Sequence, residues 1–480
     1  MKKAIKTTLS LLIPLALTLA MLLGLSLLTE QKDSRYEYGP FLAQEEDFDV
    51  LFFGTSHMIY GVYPMELWQD YGIVSYNLAG HGIHIPTVYW VMKNALRQTK
   101  PKLVVVDCYL LEKQTKMFNN FSQVHQSLDV FPLTLTKVRT AFDLLDDAAF
   151  DAEFAGGADR TRTELGLLWN FAQYHNRWTE LGQDDFSPKY TVEKGAESFN
   201  VDVAVPRTSQ PTDAVLEETT GMEYLRRIVE DCQREDIDVL LVYLPFPPGE
   251  TERMEANTAR MIAAEYGVDF IDYLDSDVVD LNTDCYDYWS HLNPSGARKV
   301  TDHLGQYIRE RYNIPDRRGD ASYAGWYDDY VAYTEYKLDL LEEQTMLKNY
   351  LVLLQDKHLS ACLYLAQSDL WFGPYRALLA NIGIDTAALP AQGPALVLVD
   401  RLAGSVSVLQ PGQEVDSGFG AFSLSQVEDG TYSVRVNGID VLLADTDAVA
   451  GIVAMSNTDR ALSTAAQFSS GPDGESKMTE

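Results

Sequence analysis

The stretch DVLFFGTSH, residues 49–57, decides the fold: a short apolar run stops abruptly at Gly54-Thr55-Ser56-His57. A run of this length, bounded by glycine, predicts a strand buried on both faces. The pattern recurs as SYNLAG (75–80), KLVVVDCYL (102–110), IDVLLVYLP (237–245) and VDFIDYLD (268–275). Helix-period segments lie between and after these runs, at 86–98, 222–236, 251–267 and 297–311. The alternation predicts an α/β domain over residues 47–312. Its core is a doubly wound, flavodoxin-like parallel sheet with helices on both faces, interrupted by an insertion near 115–210.

Upstream, Lys2, Lys3 and Lys6 precede an uncharged apolar run from Leu9 to Leu28. That is about the 20 residues a bilayer crossing requires, and the basic flank places the N-terminus on the cytoplasmic side. Residues 1–28 are therefore expected to be an N-terminal transmembrane helix, retained as a signal anchor in preference to being cleaved. Residues 29–46 form a polar linker. Everything beyond lies outside a cell membrane crossed once. Downstream, residues 313–358 read as a helical connector and 359–460 as a smaller C-terminal α+β module. Residues 461–480, rich in Ser, Ala, Gly and Glu, read as a disordered tail.

The 70 acidic against 38 basic residues give a net charge of -32, which repels phosphate backbones and argues against nucleic acid as a partner. Cys108, Cys232, Cys285 and Cys362 show no C-x-x-C spacing. Buried free thiols are the preferred reading, with pairing left open.

Ser56 sits at the carboxyl end of the first predicted strand, where open α/β sheets place their ligand sites. A helix starting there would aim backbone N–H groups at a developing oxyanion, although the same pattern also fits a serine that merely caps the helix. Far downstream, DYWSHLNPSG (287–296) precedes the last helix of the domain and can return His291 toward such a serine. An imidazole is the natural base for a hydroxyl, and a carboxylate orients it. Asp287 and Asp284 are carboxylates upstream of His291. His57, Asn77 and Trp289 are candidate substrate contacts, and Trp289 could stack on sugar. His57, His81 and His84 lack the carboxylate or cysteine spacing of a metal site, so no metal or cofactor is expected, and they read as histidines lining the cleft beside Ser56.

These blocks resemble the SGNH (GDSL-like) hydrolases, specifically the membrane-anchored branch that includes the DltD and alginate O-acetylation proteins. The resemblance covers roughly residues 47–312. FFGTSH is similar to the nucleophile block, YNLAGHG to the block whose glycine supplies an oxyanion N–H, and SHLNPSGARK to the histidine block. YHNRW (174–178) is similar to a signature of the branch. The resemblance implies that Ser56 attacks an acyl carbonyl, that the Ser56 and Gly80 amides form the oxyanion hole, and that His291 shuttles the proton. Two departures stand out. Tyr288 occupies the family's carboxylate position three residues before the histidine, which makes Asp287 the preferred orienter with Asp284 behind it, and VVVDCYLL replaces the strand that leads to an asparagine oxyanion donor.

The expected function is serine-dependent acyl-ester chemistry outside the membrane: O-acyl (acetyl) transfer to, or removal from, a cell-surface polysaccharide. The resemblance further implies a membrane-bound O-acyltransferase as partner. The alternative is a non-catalytic protein of the same fold that binds polysaccharide or scaffolds a surface-polymer modification complex.

Overall fold

A computed structural model describes residues 2–30, 33–117, 121–146, 160–186, 191–204, 211–287, 291–366, 374–427, 430–458, 460–470 and 476–478. The chain forms a mixed α/β protein of two units. The first comprises residues 1–197, 208–276 and 301–327, and the second residues 198–207, 277–300 and 328–480.

The first unit opens with α1 (Lys2–Thr29), in which Leu12–Thr29 is long and apolar enough to cross a membrane. α2 (Asp33–Ala43) follows, and it corrects the expected polar linker. Tyr38 and Phe41 are each 1% exposed. The Phe41 ring stacks on Phe48 at 5.2 Å and meets Tyr76 edge-on at 5.5 Å, while the Tyr38 hydroxyl donates to the Ala79 carbonyl. Aromatic burial converts a stretch of polar composition into part of the core.

β1 (Val50–Phe53) follows α2, with α3 (Ser56–Ile59) and α4 (Pro64–Tyr71) after it. β2 (Ser75–Asn77), α5 (Ile85–Ala95) and β3 (Leu103–Asp107) come next. α6 (Phe121–Leu128) and α7 (Leu135–Leu145) then fall in the insertion, before β4 (Asp238–Tyr243) and β5 (Asp269–Asp272). The five strands form one parallel sheet in the order β2-β1-β3-β4-β5. β1, β2 and β3 are buried at every position, as expected of parallel strands covered on both faces.

The second unit contains two antiparallel sheets. The larger joins β6 (Leu359–Leu365), β7 (Ala395–Asp400), β8 (Ser405–Leu409), β13 (Ala448–Ser456), β14 (Ala461–Ser470) and β15 (Ser476–Met478) in the order β15-β14-β13-β6-β7-β8. The smaller pairs β9 (Glu414–Ser417), β10 (Gly420–Gln426), β11 (Tyr432–Val436) and β12 (Ile439–Ala444). Strand alternation divides β6 between two cores. Ala361, Leu363 and Leu365 pack with Leu341, Leu347 and Leu351 from the segment expected to be a connector. Cys362 and Tyr364 pack with Phe422, Leu424 and Val434 of the smaller sheet.

Two further expectations are corrected here. Residues 461–470 are not a disordered tail: β14 pairs antiparallel with β13 and buries Phe468 completely. The neighbouring strand supplies the hydrogen bonds that a Ser/Ala-rich segment cannot find alone. Residues 277–300 also leave the expected 47–312 domain for the second unit. Polar ties accompany this: Ser295 Oγ meets the Gln355 side-chain amide at 2.7 Å, and Asn381 Nδ2 donates to Thr283 Oγ1 at 3.1 Å. All four cysteines are buried and free.

Candidate functional site

Gly54 ends β1 where the chain passes close to β3: a Cβ there would lie 2.8 Å from that of Asp107. The crowding explains the glycine. Thr55 then caps α3, its Oγ1 accepting from His57 N–H at 3.4 Å, so the capping role belongs to Thr55 and not to Ser56. Ser56 is the first helical residue. It is also the only residue between Phe48 and Trp68 that is not buried. A partly exposed serine in an otherwise buried turn, at the carboxyl end of a parallel strand, is where ligand chemistry is expected.

The neighbours expected to touch substrate turn inward instead. His57 is 4% exposed, with its ring stacked on Tyr109 at 3.9 Å and tilted against Phe246 at 4.5 Å. Its Nδ1 lies 4.0 Å from Asp107 Oδ2, too far for a hydrogen bond. Burial therefore dominates at Asp107, pushing its carboxyl up to about 7 against opposing backbone N–H donors from Leu244, Tyr109 and Cys108. Asn77 is fully buried; its amide donates to the Met58 carbonyl at 2.7 Å and the Val62 carbonyl at 3.2 Å, and its Oδ1 accepts from Ala79 N–H. It braces the turn that carries Ser56. His57 and Asn77 are thus corrected from substrate contacts to buried framework, because each sits beneath the surface.

Gly80, expected as an oxyanion donor, gives its N–H to the Gly54 carbonyl at 3.1 Å. Its lack of a side chain has a packing reason, since a Cβ would lie 2.2 Å from Ser127 Oγ and 2.9 Å from Ile83 Cδ1. His81 Nε2 meets Glu197 Oε1 at 3.2 Å. Burial works to raise the Glu197 carboxyl, but the His81 contact holds it below its ordinary value. His84, 3% exposed, pairs through Nδ1 with Thr115 instead. His57 and His84 are thus buried, while His81 stays partly exposed.

In the second unit, His291 lies in a loop closed at its base by an antiparallel bridge between Cys285 and Leu292. Tyr286 N–H donates to the His291 carbonyl at 3.2 Å, and Asn293 N–H to the Asp284 carbonyl at 2.9 Å. Asn293 Oδ1 accepts from the amides of Ser295 and Gly296, starting the helix Pro294–Arg311 with proline in its first position. Within this frame Asp287 grips His291 twice. Its Oδ2 meets Nδ1 at 2.7 Å, and its Oδ1 accepts the His291 backbone N–H at 3.2 Å. The Tyr286 ring lies parallel to the imidazole at 5.5 Å and 12°.

Asp284 is excluded as orienter. It is fully buried, ion-paired with Lys299 at 2.8 Å, and accepts from Ser295 Oγ at 3.0 Å and Asp280 N–H at 2.8 Å. Trp289, with Tyr288 and Ser290, lies outside the described residues.

Sequence reasoning missed Asp107. The available signal was an acidic residue closing the apolar run LVVV at a strand's carboxyl end. The YHNRW segment also acquires a definite contact: Arg177 donates to the carbonyls of Thr29 and Glu30 at the end of α1 and pairs with Asp185 at 3.1 Å. No family model, curated protein or solved structure matches this chain.

Proposed function

We propose that this protein is a serine-dependent acyl-ester enzyme of the SGNH type. It would act outside the membrane on a cell-surface polysaccharide, by transfer or removal of an O-acyl group such as acetyl. The observation that carries this reading is the His291–Asp287 pair at 2.7 Å, in which both side chains remain partly exposed. An Nδ1–H donated to the carboxylate leaves Nε2 as the basic nitrogen and stabilises the imidazolium that forms when it takes a proton. Ser56 is the nucleophile in this reading. The strand order supports the doubly wound arrangement, because the order reverses beside β1, whose carboxyl end carries Ser56. Anchorage by α1 favours transfer over hydrolysis, with a membrane-bound O-acyltransferase supplying the acyl group.

The test is labelling of the full-length protein in detergent with a fluorophosphonate, read by intact mass and peptide mapping. One adduct on Ser56, lost in Ser56→Ala and in His291→Ala, is expected. Absence of an adduct on folded protein would sink the enzyme reading. The second reading, a non-catalytic polysaccharide-binding protein or scaffold of the same fold, draws on the commitment of the Gly80 amide to Gly54, which leaves an expected oxyanion donor engaged.

A further inference from the structure

The insertion that interrupts the parallel sheet returns to the end of α1. Asn170 Nδ2 donates to Glu30 Oε2 at 3.2 Å, and Phe171 N–H donates to Ser26 Oγ at 3.2 Å. Together with the Arg177 contacts, these bonds fix the insertion against the anchor helix. Between them runs an apolar groove of about 570 Å³. Leu19, Leu23 and Leu27 of α1 form one wall, with Phe131, Leu133 and Trp169 opposite.

The place of this groove along the span decides what fills it. Leu12–Thr29 rises about 27 Å at 1.5 Å per residue, close to the hydrocarbon thickness of a bilayer. Leu19 to Leu27 covers about 12 Å of that rise, from the middle of the span toward its C-terminal end. A turn packed beside those leucines lies at the depth of the acyl chains. The turn between α6 and α7 is apolar accordingly, with Leu133 66% and Leu135 77% exposed.

A second observation is independent of hydrophobicity. Backbone at membrane depth must satisfy its polar groups internally. Lys137 is 3% exposed, and its ammonium folds back to donate to the Leu128 and Phe131 carbonyls of this turn. Phe131 N–H donates to the Leu128 carbonyl at 3.2 Å, and Thr134 Oγ1 caps α7 by accepting from Lys137 N–H at 3.2 Å. The Leu128 and Phe131 carbonyls of the turn are thus satisfied within the protein, as that depth requires.

We propose that the Val130–Leu135 turn is a second membrane contact, seated in the leaflet beside the anchor, and that phospholipid acyl chains fill the groove between turn and anchor. The inference rests on α1 being a membrane anchor. The contact holds the first unit at the membrane by two points, so that Ser56 works on polymer and acyl donor close to the bilayer surface.

The experiment places a thiol-reactive fluorophore at single introduced cysteines of the full-length protein, the native four being buried. Positions are Leu23→Cys in the anchor, Leu133→Cys in the groove wall, and exposed Ala264→Cys as an aqueous reference. The protein is reconstituted in phosphatidylcholine vesicles carrying bromine on the acyl chains. The proposal expects fluorescence at 133 to be lost in parallel with that at 23, and retained at 264. Loss at 23 with full retention at 133 overturns the proposal while the anchor stands, and assigns the groove to water or a partner protein. Retention at both 23 and 133 overturns the anchor reading and the proposal with it.

Discussion

Replacing Asp107 by asparagine isolates the energetic consequence of burying a carboxyl at the end of β3. Asp107 is fully buried, no donor among the described residues reaches its Oδ2, and burial raises the group from 3.8 to about 7. The folded state therefore holds a proton between roughly pH 4 and pH 7 that the unfolded chain has released. Stability falls as pH rises wherever the folded state binds more protons, so the contribution of Asp107 to stability falls through this window and levels off above pH 7. A rise of this size corresponds to about 4 kcal/mol at 1.36 kcal/mol per tenfold change in proton affinity. The asparagine side chain cannot ionise, and the Asp107→Asn variant lacks this loss. Its stability relative to wild type should climb by about 3–4 kcal/mol between pH 4 and pH 8. Urea titrations across that range, read by hydrogen exchange in peptides from β1 and β3, follow the first unit separately. Parallel pH curves for the two proteins would refute the reasoning and show that Asp107 is ionised in the fold.

Ser56→Ala should lower turnover of a simple acetyl ester by several orders of magnitude while the melting temperature holds, and His291→Ala should cost a comparable amount. The double variant should be little worse than either, since residues acting as a unit are non-additive in steady-state kinetics. Asp287→Asn should cost less than His291→Ala, because it removes orientation and support for the imidazolium but leaves the base. Asn77→Ala should lower stability by about 1–3 kcal/mol in chemical denaturation, through the buried Met58 and Val62 carbonyls it strands. An effect confined to KM would return Asn77 to substrate binding. In the second unit, Asp356 is fully buried. Desolvation works to raise it, but Lys337 at 2.9 Å and Arg298 at 3.6 Å hold it far below the ordinary carboxylate range. Asp356→Ala leaves a buried cation without its counter-charge and should destabilise that unit by about 3–5 kcal/mol in thermal unfolding.

The sequence by itself determined the local elements. Runs such as VLFF and LVVVD are too short and too apolar for anything but covered strands, and the amphipathic segments between them could pack only as helices. The reach from Asp287 to His291 is equally local, with three residues between them, although it is the resemblance and not the spacing that singles out Asp287. Long-range packing decided the rest. Whether Asp284 met the imidazole depended on Lys299 and Ser295 in the helix that follows, and their bonds captured it. His57 and Asn77 stand in motifs that look exposed, yet the fold buries both and leaves only Ser56 of the turn partly exposed. Residues 461–470 lack the composition of a strand, and only the edge offered by β13 makes them one. Propensity and periodicity are properties of neighbours along the chain, whereas burial and hydrogen-bond partners belong to neighbours in space.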